Sequence, residues 1–227
     1  MPKPMTDAVE ILSDGVIAPT RLALNPEALA RRLHAPPDIV SRLVTDLQAA
    51  VTPKARFGVG DPAEAGEDAM VIDGVRLVSR VLRRNLAGVG RAFPFVLTLG
   101  PAADARIGAA ADLLDQYLLD GIATALLDQA RAALNAHLRR RFGFARLSSM
   151  APGSLKDWPI EAQRDIFALL PDVEATIGVR LTDSLLMIPR KSVSGIFFPT
   201  ETTFLSCQLC PRPHCDHRKA PYQPEQR

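Results

Sequence analysis

The chain of 227 residues is 47% hydrophobic and 23% charged, which excludes the disordered, collagenous and membrane-embedded classes and leaves one large domain or one domain with a small appendage. Its 27 Lys and Arg face 25 Asp and Glu, a surplus of +2 that is too small for a nucleic-acid or membrane-surface binder. The surplus lies in residues 207–227, where Arg212, Arg218, Lys219 and Arg227 oppose Asp216 and Glu225, so the body is neutral and the tail basic.

The N-terminus, from Met1 to Glu10, has neither the basic start nor the apolar stretch of a secretory signal. Asn25-Pro26-Glu27 reads as N-cap, first helical residue and early-turn acid, followed by Leu29 and Leu33 on one face. Pro37-Asp38 opens a second short helix, with Ile39, Leu43 and Leu47 at spacing four. Residues 52–69 carry Pro53, Gly58, Gly60, Pro62 and Gly66 with little apolar periodicity, and read as a surface loop or short linker. Val71, Ile72, Val75 and Leu77 around Asp73-Gly74 predict a hairpin or strand edge. Val78 to Leu86 then turns helical with Arg80, Arg83 and Arg84 on its wet side, and Phe93 to Leu99, closed by Gly100-Pro101, predicts a buried strand.

A long helix follows between residues 112 and 141, in which Leu114, Leu118, Ile122, Leu126, Ala130, Ala133 and His137 keep to one face. Arg139-Arg140-Arg141 sit at its carboxyl end, where cations complement the helix dipole. Asp112, Asp115, Asp120 and Asp128 interrupt this most apolar segment, so no run approaches the roughly 18 apolar residues that span a bilayer. Residues 148–156 read as a Pro/Gly/Ser loop, and Pro159 starts a helix through Leu170 with Ile160, Phe167 and Leu170 facing inward. Leu181 to Ile188 and Ser192 to Phe198 read as two strands of an antiparallel hairpin joined at Pro189-Arg190-Lys191. Helices flanking antiparallel strands predict an α+β domain, divided into an N-terminal helical segment and loop at 1–69, a main domain at 70–205 and a Cys-rich tail at 206–227.

Cys207, Cys210 and Cys215 are an odd number crowded near one end, unlike a disulfide framework, and imply a reducing compartment and a cytoplasmic protein. Two cysteines separated by two residues can place both sulfurs on one ion, and a third thiolate completes three corners of a tetrahedron. With His214 or His217 as fourth ligand the set makes a zinc site; with a ligand from solvent or substrate it makes an iron–sulfur cluster with an open iron. The alternative is three unpaired thiols on a frayed tail, which would oxidise readily. Pro211 and Pro213 stiffen the loop around Arg212. Gly58-Val59-Gly60 lacks the third glycine of a dinucleotide loop, and Ser148, Ser149, Ser192 and Ser194 have no partnering His/Asp signature of a hydrolase triad.

The succession Ala151-Pro152-Gly153, Trp158-Pro159, Ile177-Gly178-Val179, Leu181-Thr182-Asp183-Ser184, Met187, Pro189 and Ser192-Val193-Ser194-Gly195 resembles the reactivation domain of vitamin B12-dependent methionine synthase. It is particularly similar to stand-alone relatives of that domain, which end in Phe-Pro-Thr-Glu, as at Phe198 to Glu201, and in a three-cysteine tail. Leu97-Thr98-Leu99-Gly100 and Leu119-Asp120-Gly121-Ile122-Ala123 look like that family's strand and long helix, so the resemblance covers about residues 70–222.

The resemblance implies an α+β domain with a central antiparallel sheet that docks on a corrinoid domain. There it assists reductive methylation of inactive cob(II)alamin, with S-adenosylmethionine as methyl donor. The family holds S-adenosylmethionine with an Arg-x-x-x-Gly-Tyr motif; here Ser149 and Ser154 replace the Arg and the Tyr while Pro152-Gly153 is retained. Arg146, three residues earlier, is the candidate substitute, and it would line the nucleotide site with Ala151 to Ser154. Lys191, with Ser192 and Ser194 after it, is either a contact to corrinoid or nucleotide carboxylate or a plain turn lysine. The catalytic, zinc-binding and cobalamin-binding modules of a complete methionine synthase are missing, so the expected partners are a corrinoid-binding protein or methyltransferase and a low-potential electron donor. The rival expectation is a zinc-stapled adaptor that binds a partner protein without catalysis.

Overall fold

The computed structural model describes residues 9–20, 22–215 and 218–223. Ten strands and helices lie before Gly100. They are β1 (Val9–Ser13), β2 (Val16–Pro19), α1 (Pro26–Leu33), α2 (Pro37–Ala50), β3 (Lys54–Phe57), β4 (Ala63–Glu64), β5 (Ala69–Ile72), β6 (Val75–Val78), α3 (Arg80–Leu86) and β7 (Phe93–Thr98). After them come α4 (Pro101–Gly108), α5 (Leu113–Phe142), β8 (Leu147–Met150), α6 (Gln163–Leu169), α7 (Val173–Ile177), β9 (Arg180–Leu181), β10 (Met187–Ile188) and β11 (Ser192–Pro199). No helix among the described residues is long and apolar enough to cross a membrane.

The main sheet has six strands in the order β1-β2-β3-β7-β11-β8, and each neighbouring pair is antiparallel. Its central strand β7 is buried at every position, because helices cover both faces. Phe93, Phe95 and Leu97 point into a core built with α1, α2, α4 and α5, while Val96 points into a second core built with β5, β6, α3, α6 and α7. The partner strand β11 splits the same way, with Phe197 in the first core and Ile196 and Phe198 in the second. Burial on both faces explains why Phe93 to Leu99 reads as a continuous apolar run rather than an alternating one. Gly195 lies where β11 meets β8: a Cβ there would stand 2.4 Å from the Met150 carbonyl oxygen.

The α+β class with a central antiparallel sheet is therefore as expected, as are α1, α2, the β5–β6 hairpin, α3, β7 and α5. Other local expectations are corrected. The loop at 52–69 contains β3, which pairs with β2 and β7 inside the main sheet, and β1 and β2, between Val9 and Pro19, form a hairpin at its edge. These strands were hidden because Lys54 to Phe57 is short and Gly and Pro flank it. The segment 148–156 begins with β8 rather than loop. Residues 181–188 do not form a hairpin with β11: β10 pairs with β9, and β11 pairs with β7 and β8. Two inward-facing assignments also fail, since Leu114 is 54% and Ile160 42% exposed.

Candidate functional site

Opposite its apolar face, α5 carries Asp120, Thr124, Asp128, Arg131 and Asn135 at steps of four, four, three and four, which a helix aligns into one stripe. Between them the five residues hold three distant segments of the chain. The Lys191 ammonium, at the entry to β11, pairs with Asp120 Oδ1 at 2.9 Å and donates to the Asp120 carbonyl at 3.1 Å and Thr124 Oγ1 at 3.0 Å. Asp128 receives the Lys219 ammonium at 2.8 Å. Arg131 Nη1 donates to Ser149 Oγ at 3.0 Å, and Asn135 Nδ2 donates to the Leu147 carbonyl at 3.3 Å. The stripe thus lies along the free edge of β8, the last strand of the sheet.

β8 leads into the Ala151–Ser154 turn, which is closed by backbone bonds from Gly153 N to the Trp158 carbonyl at 2.8 Å and from Ser154 N to the Ala151 carbonyl at 3.1 Å. Gly153 has φ of +78°, and a Cβ on it would meet Ile160 Cδ1 at 2.9 Å, so glycine meets both a conformational and a steric demand. Trp158 beneath the turn is fully buried in the second core. Ser154 Oγ donates to the Ala151 carbonyl at 2.6 Å and lies 3.2 Å from Ser206 Oγ, which joins the turn to the start of the tail.

The tail wraps around the β8 edge from one sheet face to the other. On one side Phe204 N donates to Ser148 Oγ at 2.8 Å and Leu209 is buried in the core that contains Trp158; on the other Lys219 reaches Asp128 on α5. Covering the edge in this way removes a template for unwanted strand pairing. Within the tail, Cys207 and Cys210 lie on one tight turn, with Cys210 N donating to the Cys207 carbonyl at 3.3 Å. The Arg218 guanidinium donates to the carbonyls of Cys207 at 3.1 Å and Cys210 at 3.3 Å, and also to that of Arg212. Lys219 N donates to Cys207 Sγ at 3.4 Å. The three thiols are unpaired and half-buried. Thiol donors of this kind suit a thiophilic metal. Among the described residues, however, no three His, Cys, Asp or Glu side chains converge as a ligand set. His214 is exposed, and His217 lies outside the described residues.

The structure therefore brings together Ala151, Pro152, Gly153 and Ser154 with the tail, and ties the tail and Lys191 to the same helix. Ser192 Oγ turns back to the Pro189 carbonyl at 2.6 Å, and Ser194 is buried within β11. Arg146 sits at the opposite end of β8 from the turn, bonded to the Glu201 carbonyl, in an open groove of about 720 Å³ lined also by Asn85, Arg91 and Thr200. The four-residue strand between them spans about 13 Å. Arg131, which the apolar reading of α5 passes over, is the guanidinium that meets Ser149. Its signal in the sequence is the polar spacing from Asp120 to Asn135.

Residues 151–210 match the family model for the vitamin B12 dependent methionine synthase activation domain. The matched segment runs from the Pro-Gly turn through β11 to the second cysteine. Among solved structures, the chain is similar to the crystal structure of the MetH reactivation domain bound to AdoHcy, at 19% identity and a TM-score of 0.53, over 79% of this chain and 67% of that one. No curated protein matches the chain. Residues 151–210 thus resemble that activation domain, and the solved structure shares the fold of this chain.

Proposed function

We propose that the chain is an accessory protein that reactivates a corrinoid carried by another protein. Cob(II)alamin accepts one electron from a low-potential donor, and the resulting cob(I) centre takes the methyl group of S-adenosylmethionine, leaving methylcobalamin and S-adenosylhomocysteine. The observation that carries this reading is the convergence along one α5 stripe of β8, which leads into the Ala151–Ser154 turn, of Lys191 and of the cysteine tail, all within or beside the segment matched to the activation domain. The similar solved structure holds AdoHcy, the demethylated form of the proposed methyl donor. In this reading the turn and β8 edge hold the nucleotide, while Lys191, already neutralised by Asp120, orients the entry to β11. The corrinoid protein or methyltransferase docks from outside, and three reduced thiols suit a cytoplasmic location.

The tail adds a proposed metal site. Cys207, Cys210 and Cys215 would hold zinc or an iron–sulfur cluster, the first two supported by their shared turn and the Arg218 clamp on their carbonyls. Such a cluster would supply one-electron chemistry, and zinc would supply only a staple. Anaerobic purification with iron, sulfide and zinc analysis separates the two. Stoichiometric zinc without acid-labile sulfide selects the adaptor reading of the tail.

The direct test mixes the full chain with a corrinoid protein in the cob(II) state, reductant and S-adenosylmethionine. The expected result is decay of the cob(II)alamin spectrum together with equimolar S-adenosylhomocysteine, dependent on the chain. A rate identical to that of the corrinoid protein alone overturns the proposal.

A further inference from the structure

We infer that Arg131 is the carboxylate-binding residue of the nucleotide site, its guanidinium delivered from α5 to the edge of β8 where Ser149 supplies only a hydroxyl. The inference rests on the nucleotide reading above and identifies the residue that recognises the ligand's charged end. S-adenosylhomocysteine and its methylated form carry an α-carboxylate, and a half-buried carboxylate needs a cation with uncommitted donors.

Lys156, inside the loop, is exposed to solvent, and the other cations around the turn differ in what they have left to give. Lys191 is 14% exposed, with Asp120 Oδ1, the Asp120 carbonyl and Thr124 Oγ1 taking a lysine's three donors. Lys219 is held by Asp128. Arg146 is on the far side of β8 and bonded to Glu201. Arg131 alone in this group meets the turn's own strand, through one 3.0 Å bond to Ser149 Oγ. Its other recorded partner, Asp128, lies at 3.6 Å and is held more closely by Lys219.

A guanidinium has five N–H donors in a planar fork, so a single hydroxyl and a loose carboxylate leave room for a bidentate anion. The side chain is 29% exposed, which leaves it accessible yet partly desolvated. Ser149 and Asp128 hold the fork against the edge of β8, two residues before the turn.

Calorimetric titration of the full chain with S-adenosylhomocysteine, and with its decarboxylated analogue, tests the assignment. For Arg131→Gln the affinity for S-adenosylhomocysteine should fall about 10- to 100-fold, the range expected for a charge-assisted hydrogen bond, with affinity for the decarboxylated analogue changed less than about twofold. Arg131→Ser combined with Ser149→Arg, which exchanges the two side chains across 3.0 Å, should recover most of the loss. If wild type binds the nucleotide but Arg131→Gln weakens both ligands equally, or neither, the assignment to Arg131 is overturned while the nucleotide reading stands. If wild type binds neither ligand at millimolar concentration, the nucleotide reading fails and takes the assignment with it. Circular dichroism of each variant shows that lost binding is not lost folding.

Discussion

Trp158 concentrates several demands on one side chain. It is fully buried, its backbone closes the Gly153 turn, and its indole Nε1 has no hydrogen-bond partner among the described residues. Truncation to alanine opens a large cavity and should cost about 3–5 kcal/mol in urea unfolding followed by circular dichroism. Trp158→Phe should cost much less, because it removes an unsatisfied donor along with part of the ring area. A second residue-scale effect depends on pH. Burial raises the Asp165 carboxyl above its ordinary range, so the folded state pays for its charge at neutral pH and is relieved as pH falls through the raised value. Asp165→Asn should therefore be slightly more stable than wild type at pH 7, and the advantage should vanish under acidic conditions when the two melting curves are compared.

At the scale of elements, α5 acts as a two-sided beam. Its apolar side builds the first core, and its polar stripe gathers three segments that are distant in sequence. The tail is the most weakly attached of them. The Lys219–Asp128 pair has both side chains about two-fifths exposed, so its net contribution to global stability is at most about 1 kcal/mol. Its local effect should be larger than its global one. Lys219→Ala should leave the melting temperature within about a degree of wild type while accelerating proteolytic cleavage in residues 206–223, read by mass spectrometry. Equal cleavage of variant and wild type would mean that Leu209 and the Ser148–Phe204 bond hold the tail without the ion pair.

At the scale of the whole molecule, the sheet joins segments from both ends of the chain. Val9 and Ile17 enter the first core and Val16 the second, and β2 covers the outer edge of β3. Deleting residues 1–20 should therefore cost more than about 3 kcal/mol, from these buried side chains alone, and expose β3 to intermolecular pairing. Size-exclusion chromatography of the truncated chain should show association that the full chain lacks.

Much of this was already legible along the chain. Caps, periodicity and turn residues determined α1, α2, the β5–β6 hairpin, β7 and α5, because those signals act over a few residues and need no partner. The Pro-Gly turn and the cysteine spacing were equally visible, since each is a local pattern with local chemistry. The tertiary structure decided what no window can contain. Strands β3 and β8 are short, and they pair with strands far away in sequence; β11 took β7 and β8 as partners rather than the adjacent β10. Arg131 and Ser149 are 18 positions apart, and Lys219 and Asp128 are 91 apart. The residue types set which chemical groups this protein carries; which of them meet follows from the packing of β8 against α5, because side chains of such different origin are brought within hydrogen-bond reach by the burial of two shared cores.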